Sequence, residues 1–168
     1  MAKQLIIVKP QALNARSFAD FGDVIEVQEN APFISINQGF TERYHDLAKV
    51  DVEQNNGRTL INIFRSTPLP LPIQITLMER HPLSSQAFMP LSNNPYLVVV
   101  AKAGEFNESE IQVFLAQSNQ GVNYHAGTWH HFCLALHEKS DFLVIDRGGE
   151  GHNCDEVLLE KPFSIQID

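Results

Sequence analysis

The sequence predicts an all-β-dominated fold, a β-barrel or jelly roll, and three observations support this. Short runs that alternate apolar and polar residues recur along the chain, and Gly, Pro and Asn turn signals separate them. Only one stretch has convincing helical signals. No internal repeat, low-complexity tract or linker divides the 168 residues, which suffice for one domain with a large core. We therefore expect a single domain over residues 1–168, with many short strands and one or two short helices.

Nine strands are predicted from period-two alternation or from short apolar runs. They cover residues 4–8, 23–28, 58–65, 71–81, 86–89, 95–102, 111–116, 128–136 and 140–146. The turn at residues 55–57, Asn-Asn-Gly, is a hairpin signal before the third strand. Residues 37–47 are polar and are predicted to be a loop, although four functional side chains, Arg-Tyr-His-Asp, follow one another within it.

The one helical stretch covers residues 14–21. Asn14 or Ser17 would cap its start, and the glycine that follows it would end it. Phe18 and Phe21 would then lie on the side of the helix that faces the core.

Charge and cysteine content exclude several classes of partner. The net charge is −8 and no Lys/Arg cluster is present, so a nucleic-acid or anionic-membrane surface is not expected. No apolar run approaches the roughly 20 residues of a membrane span, and the N-terminus lacks the apolar segment of a signal peptide. The two cysteines, Cys133 and Cys154, form no disulfide framework. These features indicate a cytoplasmic protein whose partner is a small molecule.

Residues 121–131 combine two glycines with three histidines and lead from a predicted turn into the strand at 128–136. Alternation places His130 on the more apolar face of that strand and His131 on the opposite face. A single inward histidine is more often a core residue bonded to the backbone than a metal ligand. A ligand role therefore requires further donor groups nearby.

Two such groups end the strand predicted over residues 71–81. Glu79 and His81 continue the face that carries Ile73 and Ile75. A buried carboxylate is costly unless it is paired or coordinated. Glu79, His81 and His130 are thus three inward groups of metal-ligand type on two strands, and a shared cation would satisfy all of them.

The spacing of these groups resembles that of the metal-binding cupins. Their first motif is His-x-His-x4-Glu, and this chain has Glu79-x-His81-x4-Gln86. Their second motif is a glycine-rich turn that leads to a histidine, and residues 121–130 are similar to it. The resemblance implies a cupin-like double-stranded β-helix and a divalent metal on Glu79, His81 and His130, with Gln86 as a weak oxygen donor.

Four separated blocks are similar to the ureidoglycolate lyase family. They are Asn37-x-Gly-x-x-Glu-Arg-Tyr-His-Asp-Leu47, Glu79-Arg-His-Pro-Leu-x-x-Gln-Ala-Phe-x-Pro90, Gly121-Val-Asn-Tyr-His-x-x-x-Trp-His-His131 and Ile145-Asp-Arg-Gly-Gly149. This resemblance spans nearly the whole chain. It implies a cytoplasmic homodimer that splits (S)-ureidoglycolate into glyoxylate and urea in allantoin degradation, and that requires nickel or a similar divalent ion.

The resemblance also suggests catalytic roles. Cleavage needs general acid and base groups, and His125, at the turn into the metal strand, is the first candidate for proton transfer. His131 is less suitable because it is expected to face outward. Glu79 and His130 would act together with the metal. Asp146, which ends an otherwise apolar strand, is a further catalytic candidate.

Substrate binding is expected from Asn37, Arg43 and His45 in the polar loop and from Arg65. Arg65 continues the aliphatic face of its strand, which would place it at the cavity mouth, where its fork could bind the substrate carboxylate. Simpler roles stay open: Arg65 could be a strand-end charge in solvent, and His45 could make a surface hydrogen bond.

Other residues near the motifs have simpler roles. Asp146 and Arg147 could form a local salt bridge, and as neighbours on a strand at most one of them should line the cavity. Tyr124 and Trp129 are expected to serve packing, and Cys133 is expected to be structural.

Two other functions are consistent with the residues. An amidohydrolase acting on the same substrate would release ammonia and carbon dioxide instead of urea. A cupin-like module could instead bind a small acid without converting it.

Overall fold

The computed structural model describes residues 6–167, and these contain almost no helix. The strands, in chain order, are β1 (Ile6–Val8), β2 (Gln11–Ala12), β3 (Gly22–Ile25), β4 (Ile34–Ile36), β5 (Thr41–Arg43), β6 (Arg58–Ser66), β7 (Ile73–Arg80), β8 (Gln86–Pro90), β9 (Tyr96–Ala101), β10 (Gln112–Ala116), β11 (Gly121–Tyr124), β12 (Trp129–His130), β13 (Leu134–Ala135), β14 (Ser140–Gly148) and β15 (Asp155–Ile165). One α-helix, α1 (Ala15–Phe18), and 3-10 turns at Asn37–Gly39, Gln54–Asn56 and Glu108–Glu110 complete them. The prediction of an all-β-dominated fold is confirmed. Within residues 6–167, no helix has the length and apolar character needed to cross a membrane.

Two sheets enclose the main core. The larger sheet has the strand order β1-β15-β7-β12-β9-β10-β2, with β13 also paired to β9. The smaller sheet has the order β3-β11-β8-β14-β6. Buried side chains from both sheets, such as Val98, Phe114, Val122 and Phe142, pack together between them. Each such side chain contributes roughly 1.5–3 kcal/mol when it leaves water, so this layer holds the sheets face to face.

A second apolar cluster covers the other face of the larger sheet. It contains Ile73, Ile75, Met78 and Trp129. Because odd and even positions of β7 share this cluster, the alternation predicted for residues 71–81 fails between Ile75 and Met78. The register between β7 and β15 is irregular in this region. The expectation that Glu79 continues the isoleucine face is therefore wrong in detail, and Glu79 instead lies on the face opposite Met78.

The helix is shorter than predicted. Asn14 is the N-cap, and its side chain accepts a hydrogen bond of 3.0 Å from the backbone N–H of Ser17. The helix ends at Phe18 and a turn follows. Phe18 and Phe21 are both buried, as predicted, with ring centroids 5.7 Å apart.

Two predicted segments have a different local structure. Residues 121–124 form strand β11 instead of a turn, because they pair with β3 on one side and β8 on the other. The strand predicted over residues 128–136 is divided into β12 and β13, because residues 131–133 leave the ladder. That break turns His131 inward, to 3% exposure, and leaves Phe132 exposed.

Strand β15 was not predicted. Its sequence lacks a clear strand signal, because Glu160, Lys161 and the following proline are residue types that are uncommon in strands. In the fold, the Glu108 carboxylate accepts hydrogen bonds from the backbone N–H groups of Glu160 and Lys161. The register shift between Leu158 and Phe163 lies at this point. A distant acceptor thus compensates for ladder bonds that the strand loses there.

The hairpin of β4 and β5 was also unexpected, since its second strand lies in the loop predicted over residues 37–47. Conversely, the turn at residues 55–57 is a 3-10 turn with no strand directly before it. Residues 4 and 5 of the first predicted strand lie outside the described residues.

Removing the helix cap should destabilise the fold. We expect Asn14→Ala to lower the free energy of unfolding by about 1 kcal/mol, because the N–H of Ser17 loses its acceptor. Asn14→Ser should retain most of the free energy of unfolding, because serine is also a favourable N-cap residue. Ser17→Ala, the alternative cap, is the matched control and should have a smaller effect. Urea denaturation of the three variants measures this, and equal effects at the two positions would contradict the assignment.

Candidate metal centre

Three groups of ligand type converge at one end of the larger sheet. Glu79 on β7 and His130 on β12 are register partners, and His81 directly follows β7. One ligand atom from each of the three residues lies within 4.8 Å of the others. The two imidazole rings have centroids 5.1 Å apart. The structure thus brings together the three residues that the sequence singled out.

Backbone carbonyls fix the tautomers of both imidazoles. The Nδ1 atom of His81 lies 2.7 Å from the carbonyl oxygen of Asn153, and that of His130 lies 3.1 Å from the carbonyl oxygen of His131. A carbonyl only accepts, so each Nδ1 carries the hydrogen and each Nε2 keeps its lone pair.

Three buried acceptors, two of them on the histidines of this cluster, have no donor. The Nε2 atoms of His81 and His130 and the Oε1 atom of Gln86 are buried, and none has a hydrogen-bond partner within residues 6–167. Buried polar atoms are rarely left in this state. A cation is the partner that suits several lone pairs beside a carboxylate.

Electrostatics also favour a cation. Burial, together with the neighbouring His81, lowers the pKa of His130 to about 3, so its imidazole is neutral at physiological pH. Its Nδ1 atom, 3.9 Å from Oε1 of Glu79, therefore forms no ion pair with that carboxylate. Burial raises the pKa of Glu79. Two imidazoles, one carboxylate and one amide oxygen are a donor set that fits a mid-series divalent ion.

Tyr124 holds the plane of the His130 ring. The two rings are stacked with centroids 4.3 Å apart and an interplanar angle of 1°. Both side chains are buried. Tyr124 thus packs, as expected, and it does so directly against a candidate ligand. His131 is also buried, and its Nδ1 atom lies 3.1 Å from the carbonyl oxygen of Phe132. The expectation that His131 faces outward is therefore wrong.

A cleft of about 400 Å³ adjoins His81, one of the three ligand-type residues. It is lined by His81, Ser84, Gln86, Asp146, Arg147, Gly151, His152, Asn153 and Cys154. A larger cavity of about 590 Å³ lies elsewhere, beside β15, but no histidine or cysteine lines it. We therefore place the candidate site in the smaller cleft, where groups of ligand type meet open space.

Both Asp146 and Arg147 line this cleft, so the expectation that at most one does is wrong. Asp146 is half-buried and accepts a hydrogen bond of 2.9 Å from Nδ2 of Asn62. The guanidinium of Arg147 donates to the backbone carbonyls of Gln54, Asn55 and Glu150. The cleft extends around the end of β14, so that both Asp146 and Arg147 border it.

The segment between β14 and β15 contributes residues that sequence reasoning missed. Asn153 accepts from the N–H of Leu83 at 2.8 Å and donates to Oγ of Ser84 at 2.9 Å, and its carbonyl orients His81. His152 lies 2.8 Å from Asp155. A glycine-rich stretch that runs directly into His-Asn-Cys was the available signal.

The structure does not bring His125 to the cluster. Its Nε2 atom lies 3.2 Å from Oδ1 of Asp23, and its side chain is half-exposed. Asp23 also accepts a hydrogen bond from Asn123. His125 is not among the residues that line the cleft.

Arg65 is on the outside of the barrel, so its expected position at the cavity mouth is wrong. Its guanidinium donates to both oxygens of Asp141, at 2.8 and 2.9 Å. Ile61, on the same face of β6, is 73% exposed. The even-numbered face turns inward instead, where Phe64 contacts Phe88 with ring centroids 5.7 Å apart. The predicted orientation of Arg65 is wrong because β6 is an edge strand whose aliphatic face is exposed.

Asn37, Arg43 and His45 lie on the β4–β5 hairpin and its flanks. We call residues 33–46 the arm. All three side chains are exposed, and none lines the cleft of the same chain. The dense polar cluster noticed in the sequence is therefore presented to the surroundings.

Comparisons with known proteins agree with these features. The family profile described as Ureidoglycolate lyase matches residues 5–166. A Burkholderia mallei protein named ureidoglycolate lyase is 54% identical over 158 residues, which cover 94% of this chain and 92% of that protein. A Pseudomonas syringae pv. syringae protein with the same name is 50% identical over 164 residues, covering 97% and 95%.

A solved structure supports the cupin-type fold. RmlC from Streptococcus suis, in complex with dTDP-D-xylose, matches with a TM-score of 0.50 over 89% of this chain and 74% of that chain. The sequences are only 9% identical, so the likeness concerns the fold alone.

Glu79, His81 and His130 should bind metal as one unit. We expect His130→Ala to abolish bound metal while the fold persists, and Glu79→Ala added to it should change little further, since members of a unit are non-additive. His125→Ala is the matched control and should keep its metal. Metal per protomer by elemental analysis measures this. Stoichiometric metal in the double variant would contradict a shared site.

Without metal, acid should destabilise the protein through His130. Below about pH 6.5 the unfolded imidazole takes up a proton, whereas the folded one does not until about pH 3. The unfolded state then binds more protons, so the free energy of unfolding should fall with pH across this window, by at most about 1.4 kcal/mol per unit. Denaturation of chelator-treated wild type and His130→Gln isolates this contribution. Parallel pH profiles would refute it.

Proposed function

This chain belongs to the ureidoglycolate lyase family, and from that premise we propose that it cleaves (S)-ureidoglycolate into glyoxylate and urea with the help of a divalent metal. The observation that carries the metal proposal is the pair of buried acceptors without donors beside Glu79, Nε2 of His81 and Nε2 of His130. The donor-free Oε1 of Gln86 lines the same cleft as His81. The adjoining cleft of about 400 Å³ has the size of a small-molecule site.

The chemistry requires proton transfer and no covalent nucleophile. Ureidoglycolate is a carbinolamide, so its hydroxyl loses a proton as the C=O bond of glyoxylate forms. The C–N bond breaks, and the departing urea nitrogen gains a proton. No water is consumed, and the protons balance within the substrate and the site.

We propose that Glu79, His81 and His130 hold the ion, with Gln86 as an additional oxygen donor. A divalent ion bound there supplies positive charge that lowers the pKa of the substrate hydroxyl. The family resemblance leads us to propose Ni²⁺ among the mid-series ions that suit this donor set. It likewise leads us to propose a homodimer that works in the cytoplasm.

Among the chain's own groups, we assign proton transfer to Asp146. Its carboxylate lines the same cleft as His81 and Gln86, and the Asn62 amide holds one of its oxygens. His125 is the weaker choice because its imidazole is paired with Asp23. The Nδ1–H groups of His81 and His130 are hydrogen-bonded to backbone carbonyls. We therefore assign these two histidines to metal binding and not to proton transfer.

Product analysis tests the function directly. Purified protein loaded with Ni²⁺ should release urea and glyoxylate from ureidoglycolate in equal amounts, without ammonia, because only the C–N bond at the carbinol carbon breaks. His130→Ala serves as the control for background decomposition. Ammonia as the primary product would establish the amidohydrolase reaction instead. Tight binding without any product would establish a binding module.

A further inference from the structure

We propose that the arm of one protomer reaches the cleft of a second copy of this chain and supplies Arg43 as the cation for the substrate carboxylate. The active site would then be complete only in the assembled protein. This inference rests on the proposed function, which provides the carboxylate.

Within residues 6–167, the arm makes no hydrogen bond, ion pair or ring contact with its own barrel. Within residues 6–167, every hydrogen bond and ring contact of the arm joins two of its own residues. Examples are Asn37 to Thr41 at 3.0 Å and Tyr44 to Glu42 at 2.9 Å. None of its fourteen residues is buried. An isolated two-stranded hairpin is at best marginally stable in water. The arm therefore needs a surface to cover it.

Its apolar residues point to a protein surface. Phe33 and Ile34 are each 48% exposed, and Phe40 is 89% exposed. The turn that carries Phe40 is strained, since Asn37 and Gln38 have φ values of 54° and 60°, in the left-handed region. Backbone strain of this kind is expected where the conformation of a segment serves binding. Exposed aromatic groups beside polar ones are typical of an interface.

The cleft lacks an unoccupied arginine or lysine for a carboxylate. Among its lining residues, Arg147 is the one arginine or lysine, and its guanidinium is occupied by three backbone carbonyls. His152 is paired with Asp155. The rest of the neighbourhood is acidic, with Asp146 in the cleft and Glu79 and Glu156 beside Cys154. A divalent ion would offset part of this negative charge, but no arginine or lysine of the cleft is left to form hydrogen bonds with the substrate carboxylate.

Arg43 is the matching cation. It is exposed on β5 and makes no ion pair or side-chain hydrogen bond within residues 6–167. A guanidinium can bind a carboxylate through two parallel hydrogen bonds and is attracted to an acidic rim. A second copy is the occupant we infer, because a two-fold axis lets each arm cover the other protomer and complete its cleft at the same time.

Mixed dimers provide the decisive experiment. Arg43→Ala and His130→Ala chains are co-expressed with different tags, and heterodimers are isolated through both tags. In trans, the intact arm of the His130→Ala chain serves the intact metal centre of the other chain. We expect wild-type KM with about half the wild-type kcat, since one of two sites is whole. The Arg43→Ala homodimer should show a KM raised by at least about tenfold.

Each alternative has a distinct result. A heterodimer that keeps the raised KM of the Arg43→Ala homodimer would overturn the proposal in favour of an arm that acts on its own chain. An unchanged KM in the Arg43→Ala homodimer would also overturn it, as would a monomer at assay concentration. Arg58→Ala tests an exposed arginine at the start of β6, and a KM defect there instead of at Arg43 would assign the carboxylate to Arg58.

Controls separate folding and function from the proposal. Arg65→Ala removes an arginine of similar exposure that is paired on the outer face, so its KM should be unchanged. Arg43→Lys keeps the charge without the fork and should give an intermediate KM. Urea release by the wild type is measured first, so that a failure of the proposed function is recognised before the arm is tested.

Discussion

Buried acceptors without donors are the constraint on which the candidate site depends. The lone pairs on Nε2 of His81 and His130 exist because backbone carbonyls hold the opposite nitrogen of each ring. Tyr124 fixes the plane of one ring, and burial keeps that imidazole neutral. Every one of these conditions makes a cation more favourable and a proton less so. The surrounding strands therefore hold these candidate ligand atoms in fixed orientations.

The ligand-type residues could be predicted from the sequence, although part of the reasoning was wrong. Glu79, His81 and His130 were selected as inward groups, and the register between β7 and β12 does bring Glu79 opposite His130. The supporting isoleucine face was wrong, because the alternation of β7 breaks before Met78. The family spacing indicates the same three residues without the face argument, because it does not depend on how the strand packs.

Other parts of the site depend on contacts that local patterns do not contain. Aliphatic neighbours usually mark a core and so predict an inward Arg65, but β6 is an edge strand whose outer face is apolar. Asn153 reaches the site only because the chain returns between β14 and β15, about 70 residues after His81. Such long-range placement is decided by sheet topology. The alternation within short strands predicts the fold class, but it does not predict these long-range contacts.

The use of main-chain carbonyls to orient both histidines has an evolutionary consequence. A side-chain substitution at position 131 or 153 leaves the backbone carbonyl oxygen in place. The orientation of the His81 and His130 rings therefore does not depend on the side chains at those positions. Ligand identity can then drift while geometry is retained. In this chain the two positions that differ from the cupin motif, Glu79 and Gln86, lie outside the pair of histidines that the main chain orients. Selection for a different metal could therefore act on single ligand positions without rebuilding the scaffold.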